Sequence, residues 1–486
     1  MRRVAVLLAL WQAASLALAQ PARSLTAPDG SPVQVWERLI APGLTLRSEV
    51  DYAAPRTVYA LRWSPQVPGL LARTEVGGGR VFGMEDGRSR EEVSGLVRRG
   101  NGVAGINGDF FPTTGDPLGV MIRDGELISR PDPRRAGFGW GPSGSRVVRA
   151  DWSGALLLDN NEIIPLNGIN EACPENGVVV NTSGASLATA VVPCVFAVVR
   201  VAPGVRWTPN GLWTGTVDLL VADQPSQIVA PGTVVFAARG ARTGALTRLK
   251  RGQTVRFRMA TTGLDGLELP NVIGGGPQLV RAGMPFVDWE AAGFNAAFAQ
   301  NRHPRTAIGQ TAEGDLWWVV VDGRQAMSRG ATLVEMAEIM RRLGCVEAVN
   351  LDGGGSSALH LLGIVVNRPS DGVERKVANG IVLQGNVPFA PGESEIAIMG
   401  PRSLRMGQTI TYGVVGVDGA RVADPQVLWS AMGAAWVDPG GTVRPLQPGA
   451  AKLRASVNGR VLEVDLVVEG VIPPPPAAAP PKTTPK

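Results

Sequence analysis

The stretch from Arg305 to Ser357 constrains the fold more than any other part of the chain. Leu316 to Val321 is an apolar run of strand length, rich in β-branched and aromatic residues, and it ends in the turn signal Asp322-Gly323-Arg324. Thr332-x-x-Glu335 is a capping box, so a helix is expected from just after Thr332. Leu333, Met336, Ala337, Met340 and Leu343 follow the helical period, and Gly344 is a natural stop. Val346 to Leu351 reads as a second strand running into Asp352-Gly353-Gly354-Gly355-Ser356-Ser357. A strand, a crossover helix and a second strand make a β-α-β unit, whose strands are expected to be parallel and to finish on one edge of a sheet.

That placement has chemical consequences. Asp322 and Asp352 are expected near each other at carboxyl ends of strands, where open sheets bind ligands. Gly353, Gly354 and Gly355 let the backbone turn sharply and approach a ligand. Their amides, with the hydroxyls of Ser356 and Ser357, are expected to cradle an anion such as phosphate. No Lys follows the glycines, which disfavours a nucleoside triphosphate.

The helix-strand pattern recurs upstream. Ser89-x-x-Glu92 is a second capping box, and Ser89 to Asp109 aligns without a gap to Thr332 to Asp352. The register pairs Arg98-Arg99 with Arg341-Arg342, Asn107 with Asn350, and Asp109 with Asp352. Common helix punctuation explains one such match, but both boxes and both Asn-x-Asp ends in one register favour a duplication. The fold expected is therefore α+β: a strand-rich main domain over 30–388 with two related helix–strand halves and mixed sheet, the halves bringing Asp109 and Asp352 to one cleft. Residues 130–300 read as β-rich elaboration between the halves, in which Gly274 to Gly276 either approach the cleft or form a plain turn. A small all-β sandwich, similar to bacterial immunoglobulin-like modules, is expected over 394–470, after a linker at 389–393 and before a Pro-rich disordered tail at 471–486.

Residues 1–19 read as a secretory signal peptide, with Arg2-Arg3, an apolar stretch and small residues before Gln20. Export to the periplasm, cell envelope or medium is expected, with no transmembrane segment after cleavage. The formal charge of +5 and the lack of a basic stripe interleaved with aromatics exclude nucleic acid as the expected partner. Cys173 and Cys194 suit a disulfide in an oxidising compartment, while Cys345 reads as a buried thiol. Neither a CxxC nor a His/Cys cluster is present, so structural zinc is not expected. No cofactor is expected, and a divalent cation at the clustered carboxylates is left open.

HPRTAIG (His303 to Gly309), VVDGR (Val320 to Arg324) and NLDGGGSS (Asn350 to Ser357), with INGDFF (Ile106 to Phe111) and GVMIRDGELIS (Gly119 to Ser129) upstream, closely resemble the phosphodiester glycosidase family. The resemblance runs from about residue 40 to 388. It implies an exported hydrolase that cleaves the glycosidic bond of a sugar-1-phosphodiester, similar to an N-acetylglucosamine-1-phosphodiester, in a cell-surface or extracellular glycan, with the C-terminal module attaching to wall or polysaccharide. Two other readings stand beside it: a non-catalytic polysaccharide-binding or exopolysaccharide-assembly protein, and a phosphodiesterase cutting the P–O bond.

In a sugar-1-phosphodiester the leaving phosphate has a second pKa of ~6, so the site needs mainly a carboxylate and donors for the departing anion. Asp352, Asp109 and Asp322 are the carboxylate candidates, with an ordinary turn as the structural reading of Asp322. Arg305, Arg324, the amides of Gly353, Gly354 and Gly355, Ser356 and Ser357 are the phosphate candidates, with Thr306 either a further substrate-binding residue or a support for Arg305. Asn107, Gly108 and Asn350 stand beside the acids to hold sugar hydroxyls or orient the carboxylates, and Asn379 occupies a family-like late-strand position. No G-x-S-x-G is present for a serine hydrolase.

Overall fold

The computed structural model describes residues 23–26, 32–158, 161–385, 387, 395–416 and 418–470. The signal expected at 1–19, the linker at 389–393 and the tail at 471–486 lie outside the described residues. The chain divides into a main unit, residues 1–390 with 458–460, and a C-terminal unit of 391–457 with 461–486. In chain order, the elements that position the site are β1 (Arg56–Trp63), β2 (Leu70–Val76), α1 (Val93–Arg99), β3 (Ala104–Asn107), β4 (Arg305–Thr311), β5 (Leu316–Val321), α2 (Leu333–Arg342), β6 (Cys345–Asn350), β7 (Leu359–Leu361) and β8 (Asn379–Gly385).

A nine-stranded sheet has β1-β5-β4-β6 at its middle. β5 is antiparallel to β1 and to β4, and β4 is antiparallel to β6, with Ala307 opposite Asn350. β5 and β6 are therefore parallel, as the β-α-β pattern predicts, but β4 is inserted between them. Every residue of β5 is buried, which is why its sequence is an unbroken apolar run. α2 forms as its capping box requires: the Glu335 amide donates to Thr332 Oγ1 at 3.1 Å and the Thr332 amide to Glu335 Oε2 at 2.9 Å. Its Leu333, Met336, Ala337 and Met340 pack on Ala307, Val319, Val321 and Ala348.

The upstream repeat builds a second sheet. β7, β3, β8 and β2 lie side by side in a five-stranded sheet, with Ile106 paired to both Leu359 and Ile381. Val93, Leu96 and Val97 of α1 pack on Ala358, Val377 and Val382. Its capping box does not form: Glu92 is the N-cap residue and makes no side-chain cap bond. Ser89 is fully buried, and its hydroxyl accepts the Phe82 amide of the preceding loop. Burial here overrides a local signal.

Between the halves lies an eight-stranded sheet, mixed through the parallel pair Gly168–Ile169 and Val178–Asn181, over a core that includes Leu156, Val195, Phe236 and Phe257. The disulfide expected here is absent. Cys173, Cys194 and Cys345 are all buried free thiols. Cys173 Sγ is 3.3 Å from the Ala237 carbonyl and Cys194 Sγ 3.0 Å from that of Gln224, so separate backbone acceptors hold the two sulfurs. A further five-stranded sheet carries Asn271–Gly274 at its centre. In the C-terminal unit, sheets of four, three and two strands share one core around Tyr412, Trp429, Val443 and Leu453. Among the described residues no helix is long and apolar enough to cross a membrane.

Candidate active site

The two Asn-x-Asp ends meet. Leaving β3, the Gly108 amide donates to the Asn379 carbonyl at 3.0 Å, and the Asp109 amide to Asn379 Oδ1 at 2.7 Å. A Cβ on residue 108 would lie 2.5 Å from that Oδ1, so only glycine fits. Leaving β6, the Asp352 amide donates to the Gly108 carbonyl at 2.8 Å. In return, Asn107 Nδ2 donates to the Asp352 carbonyl at 2.7 Å. Asn107 Oδ1 accepts from Thr306 Oγ1 at 2.9 Å and from the Ala358 amide at 3.2 Å. Asn107, Thr306 and Asn379 are thus fully buried positioning residues that fix the two acids' backbones.

Asp109 is 1% exposed. Its Oδ1 accepts from the Phe110 amide at 2.8 Å and its Oδ2 from the Gly119 amide at 2.6 Å. Gly274 also lies against it: a Cβ there would come within 2.4 Å of Oδ2, and one on Gly119 within 2.7 Å. Gly274 therefore reaches the site, one of the two roles its sequence context allowed. Burial raises the Asp109 pKa to about 7, against the attraction of Arg135 and the two amides, and the nearby Asp352 adds to the rise. Asp352 is partly exposed, and its Oδ1 accepts from the Gly353 amide at 2.9 Å. Burial raises its pKa to about 6, with Ser356, Gly353 and Arg375 holding it down. Ser356 acts on it by proximity rather than through a formed bond, because its buried Oγ has no hydrogen-bond partner. Asp352 is the smallest of the influences on Asp109, and the two carboxyls ionise in neighbouring ranges, Asp352 at about 6 and Asp109 at about 7.

Several expected roles change. The glycine loop is not an open cradle of amides. Gly353 donates to Asp352, Gly354 to the Pro304 carbonyl at 2.9 Å, and Ser356 and Ser357 to the Gly353 and Gly354 carbonyls. Ser357 Oγ lies 3.1 Å from Thr306 Oγ1. Gly355 is instead the point where Asp371 and Arg375 press against the loop; a Cβ there would come within 2.2 Å of either side chain.

Arg305 is 1% exposed; its Nε donates to the Ala331 carbonyl at 2.9 Å and its Nη2 to those of Phe298 and Asn301. Burial lowers its pKa to about 10. It ties down the short helix Ala296–Gln300 rather than presenting those nitrogens to a ligand.

Asp322 is also diverted from the expected catalytic role. Its Oδ1 accepts from Asn367 Nδ2 and both oxygens accept from the Arg368 amide, all at 3.1 Å. Asn367 Nδ2 donates as well to the Ser357 carbonyl, so Asp322 braces the loop from behind. Burial raises its pKa to about 7. Asn350 Nδ2 donates to the Gly276 and Leu351 carbonyls, while its buried Oδ1 has no partner.

Arg324 stays available. It is exposed, has φ +61°, and its guanidinium stands 3.3 Å from the Cβ position of Gly354, also positive at φ +64°. Its Nη2 is 3.3 Å from His303 Nδ1. Arg135, a residue sequence reasoning missed, is the largest charge holding Asp109 down. Its place in a Pro-Asp-Pro-Arg-Arg loop 26 positions downstream carries no periodic signal. Among the described residues there is no group of three or more His, Cys, Asp or Glu side chains arranged to hold a metal.

The strand-rich scaffold thus brings a buried carboxyl, Asp109, and a partly exposed one, Asp352, together near the Arg135 guanidinium, an arrangement that suits acid–base chemistry on an anion. The comparisons narrow the class. Residues 208–384 match the phosphodiester glycosidase family. The match includes Asp352, Arg305 and Arg324 but not Asp109. Over 82 residues the chain is 43% identical to the SPbeta prophage-derived uncharacterized protein YomE of Bacillus subtilis (strain 168), and 42% identical to the N-acetylglucosamine-1-phosphodiester alpha-N-acetylglucosaminidase of Mus musculus. Each match covers 17% of this chain, and spans 13% and 16% of the respective relative's length. A solved structure of a hypothetical protein from Synechocystis superposes with a TM-score of 0.60 at 22% identity, covering 75% of this chain and 68% of that one. That likeness concerns the fold alone.

Proposed function

We propose that the chain is an exported hydrolase that cleaves the glycosidic bond of a sugar-1-phosphodiester, of the N-acetylglucosamine-1-phosphodiester type, in a surface or extracellular glycan. The observation that carries this reading is the reciprocal pairing of Asp352 N with Gly108 O and of Asn107 Nδ2 with Asp352 O, which sets Asp109 and Asp352 side by side. Between about 6 and about 7, Asp352 is mostly ionised while Asp109 mostly keeps its proton. Asp352, the more accessible and more acidic, is the ionised partner that faces the anomeric carbon, either directly or through water. Asp109 keeps the proton and offers it as a hydrogen bond to the departing phosphate oxygen. Full proton transfer is not required, because the phosphomonoester released is itself stable as an anion near neutrality. The Ser356 hydroxyl, buried without a partner, supplies a further donor beside Asp352. The C-terminal unit is assigned a glycan- or wall-anchoring role.

The test is incubation of the purified protein with UDP-N-acetylglucosamine and with N-acetylglucosamine-1-phosphomethyl ester, followed by product analysis. Free sugar with an intact phosphomonoester is expected, and Asp352→Asn should reduce kcat by about a thousandfold or more without loss of fold. Sugar-1-phosphate as product would move the cut to the P–O bond. Binding without turnover across the panel would make this a non-catalytic glycan-binding protein.

A further inference from the structure

Arg135 presents an unusual combination. A guanidinium carries five N–H donors, and leaving them buried and unbonded is costly. Arg135 Nε and Nη1 are buried with no hydrogen-bond partner. The nearest carboxylate, Asp132 Oδ2, stands 3.8 Å from Nε and is already engaged by Arg134, whose Nε and Nη2 meet Asp132 at 3.0 and 2.7 Å. The side chain is nevertheless held firmly. Its guanidinium carbon lies 5.3 Å from the Phe110 ring centre and 5.0 Å from that of Phe294, and Phe294 stacks on Phe298 at 4.6 Å. Aromatic faces fix a guanidinium without satisfying its in-plane donors. Arg305, over Phe298 in the same cluster at 4.8 Å, shows the contrast, because backbone carbonyls cap its nitrogens. Phe110 is also the residue after Asp109 and donates its amide to that carboxylate. The rigid platform therefore places an unpaired, fork-shaped donor beside the buried acid.

Resting on the phosphodiester reading above, we propose that Arg135, and not Arg305, grips the substrate's phosphate. A tetrahedral anion offers the planar guanidinium the charged acceptor oxygens that its protein neighbours do not.

A second effect follows from the charges around Asp109, which are Arg135 and Asp352, the remaining contacts being the Phe110 and Gly119 amides. An anion seated on Arg135 neutralises the cation that favours the ionised acid and adds a negative neighbour. Asp109, which near pH 7 holds its proton only part of the time, therefore takes up the remaining fraction from solvent as the phosphate arrives, and enters the reaction loaded. In this sense Arg135 is a positioning residue for the proton as well as a binding residue.

Sulfate is the probe for the test, since it mimics phosphate and does not titrate near neutrality. The full chain is titrated with it calorimetrically at pH 7 in two buffers of different ionisation enthalpy. Wild type should bind sulfate with net proton uptake, Arg135→Met should weaken binding by about tenfold to a hundredfold and lose the uptake, and Arg135→Lys should fall between. If Arg135→Met does not fold, Arg135→Lys alone must still show weaker binding and smaller uptake. Equal sulfate binding by the folded variants and wild type, or no binding by wild type, overturns the assignment. Sulfate held through Arg135 without turnover of any phosphodiester leaves Arg135 in place and removes the hydrolase reading. Turnover with kcat/KM unchanged in Arg135→Met does the reverse.

Discussion

Replacing Asp322 by Asn should make the protein more stable, and only above acidic pH. The Asp322 carboxyl is 2% exposed, and burial raises its pKa from 3.8 to about 7. The native state therefore keeps a proton that the unfolded chain releases between those values. The group costs nothing below pH 3.8, and its penalty grows with pH until about 7. At 1.36 kcal/mol per unit, the full penalty is about 4 kcal/mol at pH 8, falling below about 1 kcal/mol at pH 4. Asn keeps Oδ1 as acceptor for Asn367 Nδ2 and the Arg368 amide while removing the buried charge. Urea unfolding of both proteins at pH 4 and pH 8 measures the difference directly. Activity should survive, because Asp322 braces the loop and takes no proton in the reaction. A variant no more stable than wild type at pH 8 would show that the ionised carboxylate is a favourable part of the native state, and loss of turnover in a folded variant would restore Asp322 to the chemistry.

Two further outcomes are expected. Gly274→Ala puts a methyl 2.4 Å from Asp109 Oδ2, which displaces the carboxylate by about 1 Å and should lower kcat about a hundredfold; kinetics within threefold of wild type would detach Asp109's placement from catalysis. Ellman titration in non-reducing denaturant should find three thiols, and essentially none in the native protein, since all three cysteines are buried and free; a single thiol on unfolding would establish a Cys173–Cys194 bridge.

The parts of the fold that local chemistry governs were readable. α2 begins at the residue its capping box specifies, β5 and β6 flank it, and the Asn107/Asn350 register correctly pairs the two chain ends that meet. What escaped was set by partners far away in sequence. Ser89 looked like a helix cap, but the Phe82 amide claims its hydroxyl. Arg305 looked like an anion hook because arginines in polar motifs often are, yet the carbonyls of the 298–301 segment decide its role. The Gly353 and Gly354 amides looked open until the Asp352 carboxylate and the Pro304 carbonyl took them. Arg135 was invisible because neither the rings that hold it nor the acid it faces lie on its own element.

The stitch between Gly108 and Asp352 ties together positions 244 residues apart, at the ends of strands in two different sheets. No fragment that folds early contains both acids in working order. Contacts of such sequence separation form more slowly than local ones. Activity measured in the assays above would therefore also report that the two sheets have come together.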